Sequence, residues 1–130
     1  MSELTPYLCV ADARAAIEWY VATLGATVTH DPVVMDDGSV GHVELTLEGG
    51  AGFMLSDEFV DAGVSAPAPD RGSSVTLHLA VDDVDGLAAR VEASGTPMTR
   101  GPEDSPPAGR VAVFIDPFGH RWFVNRPEPG

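Results

Sequence analysis

The apolar residues of this chain recur with two periods that alternate along the sequence. Strict alternation of apolar and polar residues, typical of a strand with one buried face, runs from Gly41 to Leu47. A helical spacing of i, i+3, i+4 and i+7 follows Asp12 and is formed by Ile17, Tyr20, Val21 and Leu24. Asp12 is placed to cap this helix and Gly25 to end it.

The first half of the chain therefore has the predicted order β-α-β-β-β. Its strands are expected at about 4–10, 26–31, 41–47 and 52–56. The second half repeats this order, with a strand at 75–81 and a helix that Asp83 caps and Gly95 ends. An internal duplication explains the repeat, and it predicts an α+β domain with module one at about 3–57, a linker at about 58–73 and module two at about 74–126.

A strong turn lies near the end of module two. Asp116 can accept from backbone N–H groups of a turn that Pro117 and Gly119 favour, and strands are predicted at 110–115 and 121–125. On the second of these strands Trp122 and Val124 are expected on the core side. His120 is expected to be exposed in the turn, and His30 has no evident partner. Residues 100–109 hold three prolines and predict an extended surface loop, a candidate lid.

Charge and cysteine content narrow the function classes. The 20 acidic and 7 basic residues give a formal net charge of -13, which disfavours nucleic acid and anionic membranes as partners. Cys9 is the single cysteine, so an intramolecular disulfide and a multi-cysteine metal site are excluded. The sequence has neither the features of a signal peptide nor an apolar stretch of membrane-spanning length, and we expect a cytoplasmic protein.

One helix can cover only one face of each predicted sheet, so the opposite face must carry the polar members of the alternating strands. Two such sheets are expected to close into a cup whose mixed lining suits a small-molecule pocket. The candidate ligand-binding residues on these faces are Tyr7, Cys9, His42, Glu44, Thr76, His78, Arg121 and Phe123.

The order of elements and several motifs resemble the vicinal-oxygen-chelate superfamily, which includes glyoxalase I, extradiol dioxygenases and bleomycin-resistance proteins. The motifs are Pro6 to Asp12, Ala16 to Tyr20, Leu24 to Ala26, Gly41 to Leu45, Met54 to Glu58 and Asp116 to Trp122. The resemblance covers nearly the whole chain. It implies two paired β-α-β-β-β modules whose mixed, mainly antiparallel sheets form a cup, and a homodimer.

The resemblance also implies where a divalent metal would be held in the family's enzymes, with one side chain from each of four strands. These positions fall at Thr5, Glu44, Thr76 and Phe123, of which Glu44 alone is a good ligand. No cofactor is therefore expected. A rearranged metal site of His42, Glu44 and His78 is the alternative, because all three are metal-competent and are predicted on helix-free faces.

Two functions follow from this interpretation, and a structural dimer without a ligand stays open as a third. The first is a binding or sequestering protein of the glyoxalase/bleomycin-resistance type, whose ligand is a small cationic aromatic molecule; Phe123, Tyr7, Phe53 and Trp122 offer stacking surface and Glu44 a negative charge. The second is a divalent-metal-dependent lyase, isomerase or dioxygenase that uses the rearranged site. A pairing of Cys9 with a histidine as nucleophile and base has less support.

Overall fold

The computed structural model describes residues 1–129, which divide into two compact units. The first unit is Met1–Pro67, and the second begins at Ala68. Each unit contains one α-helix and one four-stranded sheet in the order β-α-β-β-β, and the first unit also has a short 3-10 helix at Val60–Ala62. The α+β fold class and the duplication that the sequence predicts are thus confirmed.

The first unit contains a mixed sheet. Its elements are β1 (Tyr7–Cys9), α1 (Ala13–Leu24), β2 (Thr27–Val34), β3 (Val40–Thr46) and β4 (Gly52–Ser56). The strands lie in the order β1-β4-β3-β2, with β1 parallel to β4 and the other two pairs antiparallel. The edge strands are therefore β1 and β2.

Helix α1 begins and ends where the sequence predicts. The Asp12 carboxylate accepts the backbone N–H of Ala15 at 3.1 Å, and Gly25 ends the helix with a left-handed φ of 71°. The Tyr20 ring lies 5.2 Å from that of Phe53 on β4, and both side chains are buried. The helix therefore covers one face of the sheet and leaves the other free of helix.

Asp57, directly after β4, ties the start of the helix to the start of β3. Its Oδ1 accepts the N–H of Ala13 and its Oδ2 the N–H of Val40, both at 2.7 Å. A carboxylate at a helix N-terminus is also favoured by the helix dipole. This contact fixes β3, the strand that carries His42 and Glu44.

The second unit repeats the architecture. Its elements are β5 (Thr76–Ala80), α2 (Val84–Ala93), β6 (Met98–Asp104), β7 (Arg110–Ile115) and β8 (Arg121–Arg126). The strand order is β5-β8-β7-β6, again with one parallel pair, β5 and β8. The buried residues of α2 are Val84, Leu87, Ala88 and Val91, which have the i, i+3, i+4 and i+7 spacing of one helix face.

The turn between β7 and β8 is held by one buried carboxylate. Oδ1 of Asp116 accepts the backbone N–H groups of Phe118 at 2.9 Å and of His120 at 3.0 Å, and Oδ2 accepts the indole N–H of Trp122 at 2.9 Å. His120 is buried, so its predicted exposure is wrong. Its backbone closes the turn, because its carbonyl oxygen also accepts the N–H of Asp116 at 2.8 Å.

Residues 100–109 do not form the predicted loop. Strand β6 continues to Asp104 and β7 begins at Arg110, so only a tight turn separates them. Pro102 is tolerated within β6 because β6 is an edge strand, where a missing N–H need not break a ladder, and Pro106 and Pro107 lie in the turn. A hairpin therefore takes the place of the candidate lid. No helix in residues 1–129 has the length and apolar character needed to cross a membrane.

Candidate functional site

Four side chains form a row across the helix-free face of the first sheet. Tyr7 on β1 lies opposite Met54 on β4, Met54 lies opposite Glu44 on β3, and Glu44 lies opposite His30 on β2. Because side chains alternate along a strand, His42 lies on the same face as Glu44. Val43, which lies between them in sequence, and Leu45, which follows Glu44, are buried on the helix side, as predicted.

A hydrogen-bonded chain joins three of the predicted ligand-binding residues. The Tyr7 hydroxyl donates to the carbonyl of Gly41 at 2.9 Å and lies 2.9 Å from Nδ1 of His42. Nε2 of His42 lies 2.9 Å from Oε2 of Glu44. Partial burial, and then the negative charge of Glu44, raise the pKa of the Tyr7 phenol, so Tyr7 stays protonated. The structure thus brings Tyr7, His42 and Glu44 together.

A pocket of about 320 Å³ opens beside Glu44 within the first unit. Thr5 and Glu44 both line it, as do Thr29, Thr46 and Met54. The remaining lining residues are Glu3, Leu4, Leu45, Gly50, Gly52 and Phe53. Hydroxyl groups, one apolar flank and two carboxylates therefore surround the same space.

Cys9, another predicted contact, is half-buried on β1. Its thiol lies 3.7 Å from the carbonyl oxygen of Asp57. Burial, followed by the charges of Glu58 and Asp57, raises the pKa of the Cys9 thiol to about 11. A thiol with so high a pKa is a poor nucleophile at neutral pH, so this environment argues against a catalytic cysteine.

The other predicted residues lie together on the second unit's sheet. Thr76 and His78 on β5 lie opposite Arg121 and Phe123 on β8. Arg121 donates to the Thr76 hydroxyl at 3.0 Å, and the His78 and Phe123 rings are 5.5 Å apart. Nε2 of His78 lies 2.7 Å from Oδ1 of the buried Asn125.

Two predicted stacking surfaces are wrong. Trp122 is 3% exposed and Phe53 is 4% exposed, so neither ring can offer a face to a ligand in this conformation. Trp122 lies in the core because its indole N–H is held by Asp116. Phe53 packs against Tyr20 of helix α1.

His30 is the candidate residue that the sequence interpretation missed. Its ring lies 5.4 Å from that of His42, and its Nδ1 is 2.8 Å from the carbonyl oxygen of Asp31. Val28 pairs with Leu45 and His30 with Glu44, so two steps on β2 match one step on β3. This bulge moves His30 from the helix side to the helix-free face, and no alternation pattern reveals that shift.

The glyoxalase/bleomycin resistance protein/dioxygenase superfamily model matches residues 4–124. The chain belongs to this superfamily. The resemblance inferred from the motifs is therefore confirmed.

The chain is similar to proteins of Mycobacterium and Streptomyces species. The uncharacterised protein Mb0911c of Mycobacterium bovis is 36% identical over 127 residues, which are 95% of this chain and 82% of that protein. The anthracycline biosynthesis protein DnrV of Streptomyces peucetius is 31% identical over 121 residues, 88% of this chain and 43% of the relative. The structure of TnmS3, an antibiotic binding protein from Streptomyces sp. CB03234, matches with a TM-score of 0.72 and 26% identity, over 98% of each chain.

The four positions at which the resemblance implies metal ligands, Thr5, Glu44, Thr76 and Phe123, carry one carboxylate, two hydroxyl groups and one phenyl ring. Thr5 and Glu44 line one pocket, but a threonine hydroxyl is a poor ligand. The Thr76 hydroxyl is engaged by Arg121, and Phe123 has no donor atom. Among these four residues Glu44 alone is a good metal ligand.

Proposed function

We propose that this chain binds and sequesters a small, flat, cationic organic molecule of the antibiotic kind and does not transform it. The proposed contact surface is the helix-free face of the first sheet, where the pocket of about 320 Å³ lies. Small-molecule pockets have volumes of about 300–1,000 Å³, so this one suits a compact ligand or one part of a larger ligand.

The charge of the pocket carries the proposal. Among the described residues, its lining includes the carboxylates of Glu3 and Glu44 and no basic side chain. The Glu44 carboxylate is oriented by His42, which is itself hydrogen-bonded to Tyr7. A fixed negative charge in a chain of net charge -13 favours a cationic ligand.

The relatives support the same ligand class. TnmS3 is described as an antibiotic binding protein and DnrV as an anthracycline biosynthesis protein. Binding of a natural-product antibiotic is therefore the function that we carry over to this chain as a proposal. Metal-dependent catalysis at the family's own positions is disfavoured, because Thr5, Thr76 and Phe123 replace three of the four ligands.

The proposal extends to the second unit. Its exposed Thr76 and His78 and half-buried Arg121 and Phe123 provide further polar and aromatic contact surface on a helix-free face. Cys9 would contact the ligand without reacting with it, because its raised pKa keeps the thiol protonated at neutral pH. The proposed binding needs no cofactor. A homodimer in the cytoplasm stays a prediction.

The experiment compares an anthracycline that carries a free amine with its neutral N-acetylated derivative. Titration calorimetry in EDTA measures both affinities. We expect the cationic compound to bind about tenfold more tightly, because one favourable charge pair is worth roughly 1.4 kcal/mol. In Glu44→Gln this preference should disappear.

Glu48→Gln is the matched control, since it removes the same charge from the exposed turn after β3, outside the pocket lining. It should keep the preference for the cation. The proposal fails if neither compound binds at micromolar concentration, or if Glu48→Gln and Glu44→Gln reduce the preference equally.

A further inference from the structure

Three metal-competent side chains meet at the outer edge of the first sheet. One ligand atom from each of His30, His42 and Glu44 lies within 4.8 Å of the others. The arrangement follows from the register, because Glu44 is the cross-strand partner of His30 and lies two residues after His42 on the same face. The bulge in β2 is what turns His30 toward the other two.

The proton of His30 is placed by its own backbone. Nδ1 lies 2.8 Å from the carbonyl oxygen of Asp31, and a carbonyl oxygen can only accept, so Nδ1 carries the hydrogen. In the neutral ring Nε2 then carries no hydrogen and has a lone pair available for a metal ion. A histidine that donates one N–H to a backbone carbonyl and offers its other nitrogen has the usual arrangement of a metal ligand.

The ring of His42 is also held through Nδ1, but here the Tyr7 hydroxyl lies between the ring and a backbone carbonyl. The Tyr7 hydroxyl donates its only proton to the carbonyl of Gly41. Its oxygen must therefore accept from Nδ1–H of His42. Nε2 of His42 then points its lone pair at the Glu44 carboxylate, 2.9 Å away. A metal ion placed between Nε2 and the carboxylate would be bound by both atoms.

We propose that His30, His42 and Glu44 bind one divalent transition-metal ion through Nε2 of each histidine and a carboxylate oxygen. Two imidazoles and one carboxylate suit zinc, cobalt, nickel or iron(II) rather than magnesium or calcium. Only Glu44 is shared with the four positions that the superfamily's enzymes use. Three protein ligands leave a coordination position open for a small oxygen or nitrogen donor.

The surroundings favour a cation. His30 is exposed and His42 and Glu44 are half-buried, so an ion can reach the three ligands from solvent. The net charge of -13 concentrates cations at the surface. This inference is independent of the proposed antibiotic binding, which is measured in EDTA.

The test uses tag-free protein with cobalt(II) or zinc chloride and no organic ligand. Titration calorimetry and the visible absorption of bound cobalt report stoichiometry and ligand type. We expect one ion per chain, no binding of magnesium, and a loss of about tenfold or more in affinity in His30→Asn and in Glu44→Gln. Circular dichroism on each variant checks that the fold is retained.

Glu48→Gln controls for the lost charge and should bind the ion as the wild type does. His78→Asn separates this site from a set of His42, Glu44 and His78, and here too affinity should be kept. Absence of saturable binding overturns the proposal. So does binding that His78→Asn weakens and His30→Asn leaves intact.

Discussion

The indole N–H of Trp122 donates to Oδ2 of Asp116 at 2.9 Å, inside the hairpin that joins β7 and β8. Both residues are buried, and the other carboxylate oxygen accepts two backbone N–H groups of the turn. One side chain thus satisfies three donors. The turn and the core of the second unit are consequently held by the same group.

Replacing this carboxylate should destabilise the fold strongly. Asp116→Ala leaves three donors without this acceptor, two of them in buried residues, and we expect a loss of about 3 kcal/mol in the free energy of unfolding. Urea unfolding followed by circular dichroism measures the change. Asp82→Ala removes the same charge from an exposed position and should cost less than about 0.5 kcal/mol. Equal stability of the two variants would contradict this role of Asp116.

Substitutions of Gly38 and Gly109, which lie in equivalent hairpins of the two units, test how closely the backbone at Gly109 approaches that at Arg126. Gly38 and Gly109 both have φ of +87°, in the turns after β2 and β6. A Cβ on Gly38 meets open space, whereas one on Gly109 would clash with the carbonyl oxygen of Arg126. Gly38→Ala should therefore cost about 1 kcal/mol of left-handed strain, and Gly109→Ala about 2 kcal/mol more.

The midpoints of urea unfolding give this comparison directly. Both variants share the strain of a left-handed alanine, so their difference isolates the contact with Arg126. If Gly38→Ala and Gly109→Ala unfold at the same urea concentration, the close approach is absent in solution.

The Cys9 thiol should react slowly in the folded protein. Its pKa is raised to about 11 from an ordinary value of 9.0, so at pH 8 the thiolate fraction is on the order of 100-fold lower than in the unfolded chain. Iodoacetamide labelling, followed by mass spectrometry, should accelerate about tenfold for each pH unit until about pH 11. Because the folded pKa is higher than the unfolded one, stability from this group is lost as pH rises from 9 toward 11.

Labelling in urea at pH 8 provides the reference rate for Cys9. A folded-state rate as fast as that reference would show that burial and the charges of Glu58 and Asp57 do not act on the thiol as inferred.

The fold was predictable from the sequence because its determinants are local. The Asp12 side chain caps α1 and the left-handed Gly25 ends it, so these two residues mark the helix ends in the sequence. The alternation around Val43 places His42 and Glu44 on one face. The Asp116 turn is of the same kind. Such signals depend on a few neighbouring residues, so no tertiary information is needed to interpret them.

Two of the errors, the missed His30 and the loop predicted at 100–109, arise in the edge strands β2 and β6. A register shift in β2 changes the face on which His30 lies, and β6 keeps its pairing with β7 despite Pro102. Edge strands tolerate bulges and prolines because one side makes no ladder bonds. Their course depends on the partner strand, which a single-sequence pattern does not contain. The sequence pattern therefore places Glu44 and His42 on one face, as the structure does, but it does not reveal that His30 lies beside them.

The Tyr7 hydroxyl should act as a positioning group for His42. It links the Gly41 carbonyl to Nδ1 of His42, so Tyr7→Phe frees the imidazole to rotate. We expect zinc affinity to fall about tenfold, as for other groups that orient a metal-binding histidine. Calorimetry with zinc chloride measures this effect, which a purely structural role of Tyr7 would leave unchanged.

A double-mutant cycle in EDTA separates the hydrogen bond from the metal. Tyr7→Phe, His42→Asn and the double variant are unfolded in urea, and the coupling between the two positions should be about 1 kcal/mol. The bond does not require an ion, so this coupling should persist without one. If the full coupling is measured but Tyr7→Phe leaves zinc affinity unaltered, the Tyr7 hydroxyl stabilises the sheet and does not orient a metal ligand. If the coupling is present and Tyr7→Phe also lowers zinc affinity, the hydroxyl orients His42. We infer that holding Nδ1 keeps Nε2 directed at Glu44 and His30.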